Sequence, residues 1–267
     1  IATLIIADKT APMVGESYGL EGMSLPTGST ASFAPLGFLI GALVEKIPGL
    51  KNLHADPETI QKKFGIFGEP MIMGAILGCV LGVLAGYDLG GVLKIGISMG
   101  AVMLLMPRMV KILMEGLIPI SESVREFLQK KHAGKELYIG LDAALAVGHP
   151  SVMATALILV PIIIFLAVIL PGNKVLPFGD LATIPFYVAF IVGSRKGNIV
   201  HSVITGTILM ALSLYMATDF ANVHTQMLAQ AHFQMPEGAT KITSIDMGGN
   251  LLNWLILKFS ELMKGFF

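Results

Sequence analysis

The sequence has 267 residues, of which 54% are hydrophobic and 13% are charged, and its mean hydropathy is +0.75. Soluble domains carry about 25% charged residues, so this composition excludes an ordinary soluble protein and indicates an integral membrane protein. Eighteen basic and eighteen acidic residues balance, which excludes the charge excess typical of nucleic-acid-binding proteins. The single cysteine, Cys79, lies in an apolar segment, where we expect it to contribute packing.

The chain begins with a short apolar segment, residues 1–14, which we expect to be the end of a helix that starts before the given sequence. The next five residues, 15–19 (GESYG), have the G-x-S-x-G pattern of a nucleophile elbow. That elbow needs a strand before the serine and a helix directly after it. The residues that follow are loop-like, so we do not expect Ser17 to be catalytic.

A small polar turn, residues 25–30 (LPTGST), precedes a predicted helix over residues 32–44. Hydroxyls and free N–H groups at a helix start can bind a polar ligand, which makes Thr27 a candidate substrate-binding residue. Capping of the helix explains the same residues equally well. Residues 45–63 are charged and contain proline, so they predict a solvated loop with a short amphipathic piece.

Glu69 lies between Gly68 and Pro70, at the start of a predicted span over residues 70–87. Proline is favoured at the first position of a helix because its missing N–H would be unpaired there. Glycines follow every four residues on one face of this span, which predicts a close contact with another helix: Gly74, Gly78, Gly82 and Gly86. A second span is predicted over residues 90–117, followed by a polar loop over residues 121–137.

The central stretch contains the segment 150–170, which is long enough to cross a bilayer and carries no charge. The segments on either side of it are short and broken by glycine and proline. Interrupted half-helices of this kind place polar groups at membrane depth in transporters. We therefore predict a re-entrant segment over residues 140–149 and a returning segment over residues 180–193.

Two further spans are predicted after the central stretch, over residues 199–218 and 251–267. Ten of the eighteen basic residues lie in three loops, residues 45–63, 119–137 and 194–198. Lys and Arg are enriched in cytoplasmic loops of membrane proteins. If residues 140–149 enter and leave the membrane on the same side, all three basic loops lie on one side of it. We predict that this side is cytoplasmic.

Ionisable side chains in or beside apolar segments are costly and usually have a role or a partner. Asp142, His149 and Asp180 are such residues in the central stretch, and Glu69 is the fourth. Each of the two aspartates has the alternative role of a helix N-cap, and His149 that of a satisfied buried histidine. Walker loops, zinc-ligand spacings and H-E-x-x-H are missing from the sequence, so we expect neither a metal nor a cofactor. The carboxylates, with amides such as that of Asn198, are the groups that hydrogen-bond to an uncharged sugar or polyol.

Several long motifs resemble the galactitol-type IIC membrane component of the bacterial sugar phosphotransferase system: KFGIFGEPMIMG, LAGYDLGGVL, AVMLLMPRMVKILMEGLIPI, IGLDAALAVGH and ILPGNKVLPFGDLATIPF. The likeness runs from residue 19 to residue 254. It implies an all-α, multi-span transporter with broken helices, in which residues 1–267 are one partial domain. This domain would be the second inverted repeat of an elevator-type fold, with a first repeat and a further segment outside the sequence.

The resemblance also implies a mechanism and partners. A homodimer in the bacterial inner membrane would carry a polyol to the cytoplasmic face, where a soluble IIB subunit, supplied by IIA, would phosphorylate it. The chain itself would carry no phosphoryl group. Galactitol relatives often read P-H-G where this chain has Pro26-Thr27-Gly28, so the substrate could differ from galactitol.

Two other functions remain open from the sequence. An ion-coupled secondary transporter would use Glu69 or Asp142 as its proton or sodium site. A membrane-embedded hydrolase would use Ser17. In a phosphotransferase permease, we predict that the substrate-binding residues are Thr27, Glu69, Asp142, His149, Asp180 and Asn198.

Overall fold

A computed structural model describes residues 1–50, 53–65, 69–131, 138–235 and 240–264 of the chain. These residues form helices joined by short turns, with one two-residue parallel pairing between β1 (Met23–Ser24) and β2 (Ile139–Gly140). The helices are α1 (Ala2–Tyr18), α2 (Gly28–Val44), α3 (Pro57–Phe64), α4 (Pro70–Leu84), α5 (Leu89–Lys131), α6 (Ala144–Val147), α7 (Pro150–Ile169), α8 (Ile184–Ser194), α9 (Ile199–Gln230), α10 (Ile245–Gly248) and α11 (Leu251–Lys264). A 3₁₀ helix, Phe178–Thr183, leads into α8.

Three helical segments in the described part of the chain are long and apolar enough to cross a membrane: Leu89–Ile120, Pro150–Ile169 and Ile199–Gln230. The middle one, α7, has the highest mean hydropathy, 3.0. Shorter apolar helices cover Gly28–Val44, Pro70–Leu84 and Phe178–Ser194. Together these segments make the chain an all-α membrane protein, as the sequence predicts.

The core of the bundle surrounds α8, which packs against α2, α7 and α9. Helix α8 is apolar on all sides, and a helix with no polar face is stable only when it is enclosed. Its residue Tyr187 is 1% exposed and packs on Phe33 of α2, with ring centroids 4.6 Å apart. Gly37 of α2 leaves room for Ile191, since a Cβ atom there would lie 2.7 Å from the isoleucine side chain.

Helices α4 and α5 form an antiparallel hairpin with a glycine contact surface. Gly74, Gly78 and Gly82 are buried, and a Cβ atom at any of them would lie 3.0 Å or less from an atom of α5. The close contact predicted from the four-residue spacing is confirmed for these three residues. For Gly86 the prediction is wrong, because that residue is exposed, has a φ of 75° and ends the helix in a turn.

Two polar segments differ from their predicted structure. Helix α5 does not end near residue 117 but continues to Lys131, so residues 121–131 are helical and not a loop; residues 132–137 lie outside the described part. Helix α9 likewise continues beyond residue 218 to Gln230. The predicted re-entrant segment, residues 140–149, contains the end of β2 and the single-turn helix α6.

Candidate functional site

A polar cleft lies at the start of α7, around His149. Pro150 occupies the first helical position of α7, and His149 is the residue before it. The Nδ1 atom of His149 accepts a hydrogen bond of 3.2 Å from the Ser151 N–H and so caps the helix. Because Nδ1 is the acceptor, a neutral His149 carries its proton on Nε2, which leaves an N–H donor for a ligand.

Tyr18, the last residue of α1, stands beside His149. The two rings meet edge to face, with centroids 5.4 Å apart and an interplanar angle of 75°. The Tyr18 hydroxyl donates a hydrogen bond to the Ala189 carbonyl of α8, which fixes the ring. Two cavities of about 290 and 210 Å³ share Tyr18 and His149 in their linings. The larger is at the lower end of the size range of small-molecule sites, roughly 300–1,000 Å³.

The G-x-S-x-G segment has a structural role here. Ser17 lies in the last turn of α1, where its hydroxyl donates a 2.9 Å hydrogen bond to the Gly193 carbonyl. Gly19 ends the helix in the left-handed conformation, with a φ of 69°, as glycine commonly does at a helix C-terminus. A helix therefore stands where the nucleophile elbow needs a strand, in agreement with the expectation that Ser17 is not catalytic.

The charged groups at the rim of the smaller cavity neutralise each other. Lys196 Nζ lies 3.1 Å from Glu16 Oε1, and both side chains are exposed. Lys196 and Gly197 both have positive φ angles, 51° and 77°, so they form a tight turn between α8 and α9. The smaller cavity, with its imidazole and balanced charges, offers more to an uncharged polar ligand than to an anion. Lys111 adds a cation to the lining of the larger cavity.

Asn198 follows that turn and is 4% exposed. Its Oδ1 caps α9 by accepting from the His201 N–H at 3.3 Å, and its Nδ2 donates to the Leu53 carbonyl at 2.8 Å. The Ile199 N–H also donates to the Ala55 carbonyl, at 2.6 Å. Asn198 thus holds residues 53–55 against the start of α9.

Glu69 lies at the same end of the bundle as His149. Helix α4 runs parallel to α7, since Leu84 at its C-terminal end lines one cavity with Ile164 and Val168 near the C-terminal end of α7. Glu69 is half-buried at the N-cap position of α4 but makes no side-chain capping hydrogen bond. Residues 66–68, which precede it, lie outside the described part.

Thr27 and Asp142 lie close together, because the pairing of β1 with β2 brings their segments side by side. The Thr27 hydroxyl accepts a 2.8 Å hydrogen bond from the Ala143 N–H. The exposed Asp142 carboxylate accepts a 2.7 Å hydrogen bond from the Ala144 N–H. Both side chains therefore stabilise the turn before α6, and each keeps hydrogen-bonding capacity for a ligand.

Asp180 lies beyond the other end of α7, and α7 is about 30 Å long at 1.5 Å per residue. It is 8% exposed, and its Oδ2 accepts a 2.8 Å hydrogen bond from the Ile245 N–H at the start of α10. A second cleft, of about 220 Å³, lies by α10 and is lined by hydroxyl, amide and carboxylate side chains that include Ser29, Asp246 and Asn253. Within the described residues, no group of three or more His, Cys, Asp and Glu side chains could hold a metal ion.

A family model described as "PTS system sugar-specific permease component" matches residues 1–238 of the chain. The chain belongs to this family. It is 44% identical over 241 residues to the "PTS system galactitol-specific EIIC component" of Escherichia coli (strain K12), a match that covers 90% of this chain and 53% of the relative. The protein of the same name from Escherichia coli O157:H7 matches with the same values.

Another relative, a "Putative permease IIC component" of Escherichia coli (strain K12), is 42% identical over 262 residues, with 98% of this chain and 59% of the relative covered. The chain thus spans little more than half the length of these permease relatives. No solved structure matches it.

The sequence did not reveal every residue of this permease cleft. The G-x-S-x-G pattern of residues 15–19 draws attention to Ser17 and gives no sign that Tyr18 lines the cleft. Gly197 and Lys196 are distant from His149 in sequence, and only the fold brings the turn between α8 and α9 against the start of α7.

Proposed function

We propose that the chain is part of a phosphotransferase permease that binds an uncharged polyol, galactitol or a close relative, in the cleft at His149. The observation that carries this proposal is the polar cleft at the N-terminus of the apolar span α7, in a chain of the sugar-specific permease family. The 44% identical relatives are galactitol-specific components, and they supply the substrate class of this proposal.

The cleft offers the hydrogen bonds that a polyol needs. His149 Nε2–H is a donor, the Lys196–Glu16 pair at the rim provides both signs of charge, and the Tyr18 ring gives an apolar wall for carbon atoms. A site built from such paired groups discriminates strongly, because a ligand that lacks a hydroxyl leaves a buried group unpaired.

The other predicted residues differ in how close they lie to this cleft and in what their side chains bind. Glu69 lies at the same end as His149, and its carboxylate is not used for capping. Thr27 and Asp142 each hold a backbone N–H while keeping a further acceptor position. Asp180 holds the Ile245 N–H beyond the other end of α7, too far away to contact a polyol bound at His149. Asn198 would act indirectly, by fixing the turn that carries Gly197.

The reaction we propose is group translocation. The polyol enters from outside, the permease carries it to the cytoplasmic face, and a IIB subunit supplied by IIA transfers a phosphoryl group to it. This chain binds and orients the polyol, which lowers the entropic cost of the transfer. Inner-membrane location, a homodimer, an inverted repeat and an elevator-like movement are parts of this proposal that rest on the resemblance to the IIC family.

The orientation proposed from the basic loops gains support from contacts at the His149 end. Arg195, in the basic turn, forms a 2.6 Å ion pair with Glu45 at the start of the loop after α2. Residues 53–55 of that loop are bound by Asn198. Two of the three basic loops thus meet at one end, which we propose faces the cytoplasm and the IIB partner.

The test is uptake of radiolabelled galactitol into membrane vesicles that contain the permease, with and without IIA, IIB and a phosphoenolpyruvate-driven supply. We expect accumulation of galactitol phosphate only with the complete system, unaffected by a protonophore. Uptake of unphosphorylated galactitol that a protonophore abolishes would refute group translocation and establish the ion-coupled alternative.

A further inference from the structure

Helices α7 and α9 lie side by side and run in the same direction, as two close approaches show. The Ser151 hydroxyl oxygen lies 3.1 Å from the position that a Cβ atom would take at Gly197. Leu159 lies 2.6 Å from the corresponding position at Gly206. The two close approaches are eight residues apart on α7, and Gly197, just before α9, is nine residues from Gly206. They delimit one stretch of the helix–helix packing, which we call the α7–α9 contact.

Four hydroxyl residues lie in sequence within the two stretches that this contact covers, 151–159 and 197–206. Ser151 stands at its outer end, and Thr155 lies one turn further on the same face of α7. Ser202 and Thr205 lie on α9 between the two ends. All four residues are fully buried, and none of their hydroxyls has a hydrogen-bond partner within the described part of the chain.

Their lack of partners is unusual for helical hydroxyls. Thr207 on α9 donates to the carbonyl of Val203, four residues earlier, which is the common arrangement for Ser and Thr in helices. Thr10 and Thr225 do the same in α1 and α9. A buried hydroxyl without a partner costs desolvation energy. Six Ser and Thr hydroxyls in the described part of the chain are buried without a partner, and four of them lie in this stretch; the other two are those of Thr30 and Ser213. A ligand rich in hydroxyl groups would explain this concentration.

The α7–α9 contact adjoins the cleft at His149. Gly197 lines the smaller cavity together with His149, and the Cβ position of Gly197 is 3.9 Å from His149 Cε1 as well as 3.1 Å from the Ser151 hydroxyl. Ser151 therefore lies directly behind the wall of the cleft. The Leu159–Gly206 contact closes the polar stretch at its inner end.

We propose that Ser151, Thr155, Ser202 and Thr205 form an inner subsite that binds hydroxyl groups of the polyol when α7 and α9 move apart, a role that rests on the function proposed above. Each of these side chains is both a donor and an acceptor, as is each hydroxyl of a polyol. The subsite contains no charged group, so a sugar acid would bury its carboxylate there without a cation. The inner subsite thus selects uncharged polyols over sugar acids of the same length.

The test compares Thr155→Val and Thr205→Val with the control Thr207→Val in the whole permease in lipid nanodiscs. Valine has nearly the shape of threonine but no hydroxyl. We measure the galactitol dissociation constant and the melting temperature without ligand. We expect at least tenfold weaker binding for the first two variants, no loss of melting temperature, and binding within twofold of wild type for the control. Galactonate, which has the same carbon skeleton and one carboxylate, should not compete.

Wild-type affinity in both Thr155→Val and Thr205→Val would overturn the inner subsite alone. Wild-type affinity with a lowered melting temperature would indicate that the hydroxyls bind internal water molecules. Wild-type affinity with a raised melting temperature would indicate that they are packed in the protein without any hydrogen-bond partner. Either outcome rejects the subsite. Failure of the wild type to bind galactitol would instead refute the proposed substrate, and the subsite with it.

Discussion

Alanine at Gly78 provides a sharp test of the α4–α5 contact. A Cβ atom at this position would lie 2.8 Å from the Ile95 carbonyl oxygen and 3.0 Å from the Gly96 Cα atom, both of which belong to the backbone of α5. Backbone atoms cannot rotate away, so the two helices must separate. Overpacking of this kind costs about 1–3 kcal/mol. Alanine also stabilises a helix relative to glycine by roughly 0.5–1 kcal/mol, so the net destabilisation should be about 1 kcal/mol, within a range of about 0–2.5 kcal/mol.

The matched control is Gly116→Ala on α5, where nothing lies within 4 Å of the added Cβ atom. At this position the substitution changes only the helix propensity, and we expect it to stabilise the protein by about 0.5–1 kcal/mol. The measurement is the melting temperature in detergent, which changes by about 2–4 °C per kcal/mol for a protein of this size. The two variants should shift it in opposite directions. Equal tolerance of both substitutions would refute the reasoning, and Gly78→Leu should be more destabilising than Gly78→Ala.

Two further predictions concern the loop at the His149 end. Asn198→Ala removes the cap of α9 and the hydrogen bonds to Leu53 and Ala55, so we expect the free energy of unfolding to fall by at least about 1 kcal/mol and proteolysis within residues 53–56 to become faster. Asn198→Asp keeps the acceptor oxygen and should have a smaller effect. Equal proteolysis of Asn198→Ala and wild type would contradict this role. Burial tends to raise the pKa of Asp56, but hydrogen bonds from Thr59 at the start of α3 and from His54 outweigh it and lower the pKa. The stability that Asp56 gives to α3 should therefore be complete above the ordinary aspartate pKa, about 3.9, and should be lost as the pH falls through the lower pKa of the folded state. Hydrogen exchange of the α3 backbone amides would detect this loss. Exchange that does not change across this pH range would contradict the stabilising role of Asp56.

Membrane class and much of the helix packing could be predicted from local sequence. The segment 150–170 has no charge, and the structure has α7 over Pro150–Ile169. The glycine spacing of α4 predicted a close contact because four-residue spacing alone places side chains on one helix face. Gly86 has the same spacing but ends the helix, and spacing cannot distinguish a contact residue from a turn residue.

The ends of α5 and α9 could not be predicted, because polar residues are equally compatible with a loop and with a helix that leaves the membrane. Residues 121–131 were predicted as loop on polarity alone, whereas they continue α5 past two internal prolines, Pro107 and Pro119. Hydropathy locates the part of a helix that lies in hydrocarbon and carries no information on where its hydrogen bonds end.

The candidate site was only partly predictable for a related reason. His149 was identified because an ionisable residue beside a span is unusual, and Asp142 and Asp180 were identified in the same way. Both aspartates accept backbone N–H groups, but neither occupies the N-cap position of the helix that follows it: Asp142 precedes the cap of α6, and Asp180 lies inside the 3₁₀ helix and accepts from Ile245 of α10. Tyr18 and Gly197 reach the cleft only through the packing of α1 and α8, and no local pattern encodes that contact.

The measurement that tests the central claim most directly is the galactitol dissociation constant of His149→Asn in the whole permease. Asparagine is a good N-cap residue, so it can accept the Ser151 N–H and keep α7 intact while removing the imidazole Nε2–H from the cleft. We expect binding at least about tenfold weaker than wild type, equivalent to 1.4 kcal/mol, with an unchanged melting temperature. Wild-type affinity in this variant would contradict the assignment of the polyol site to His149.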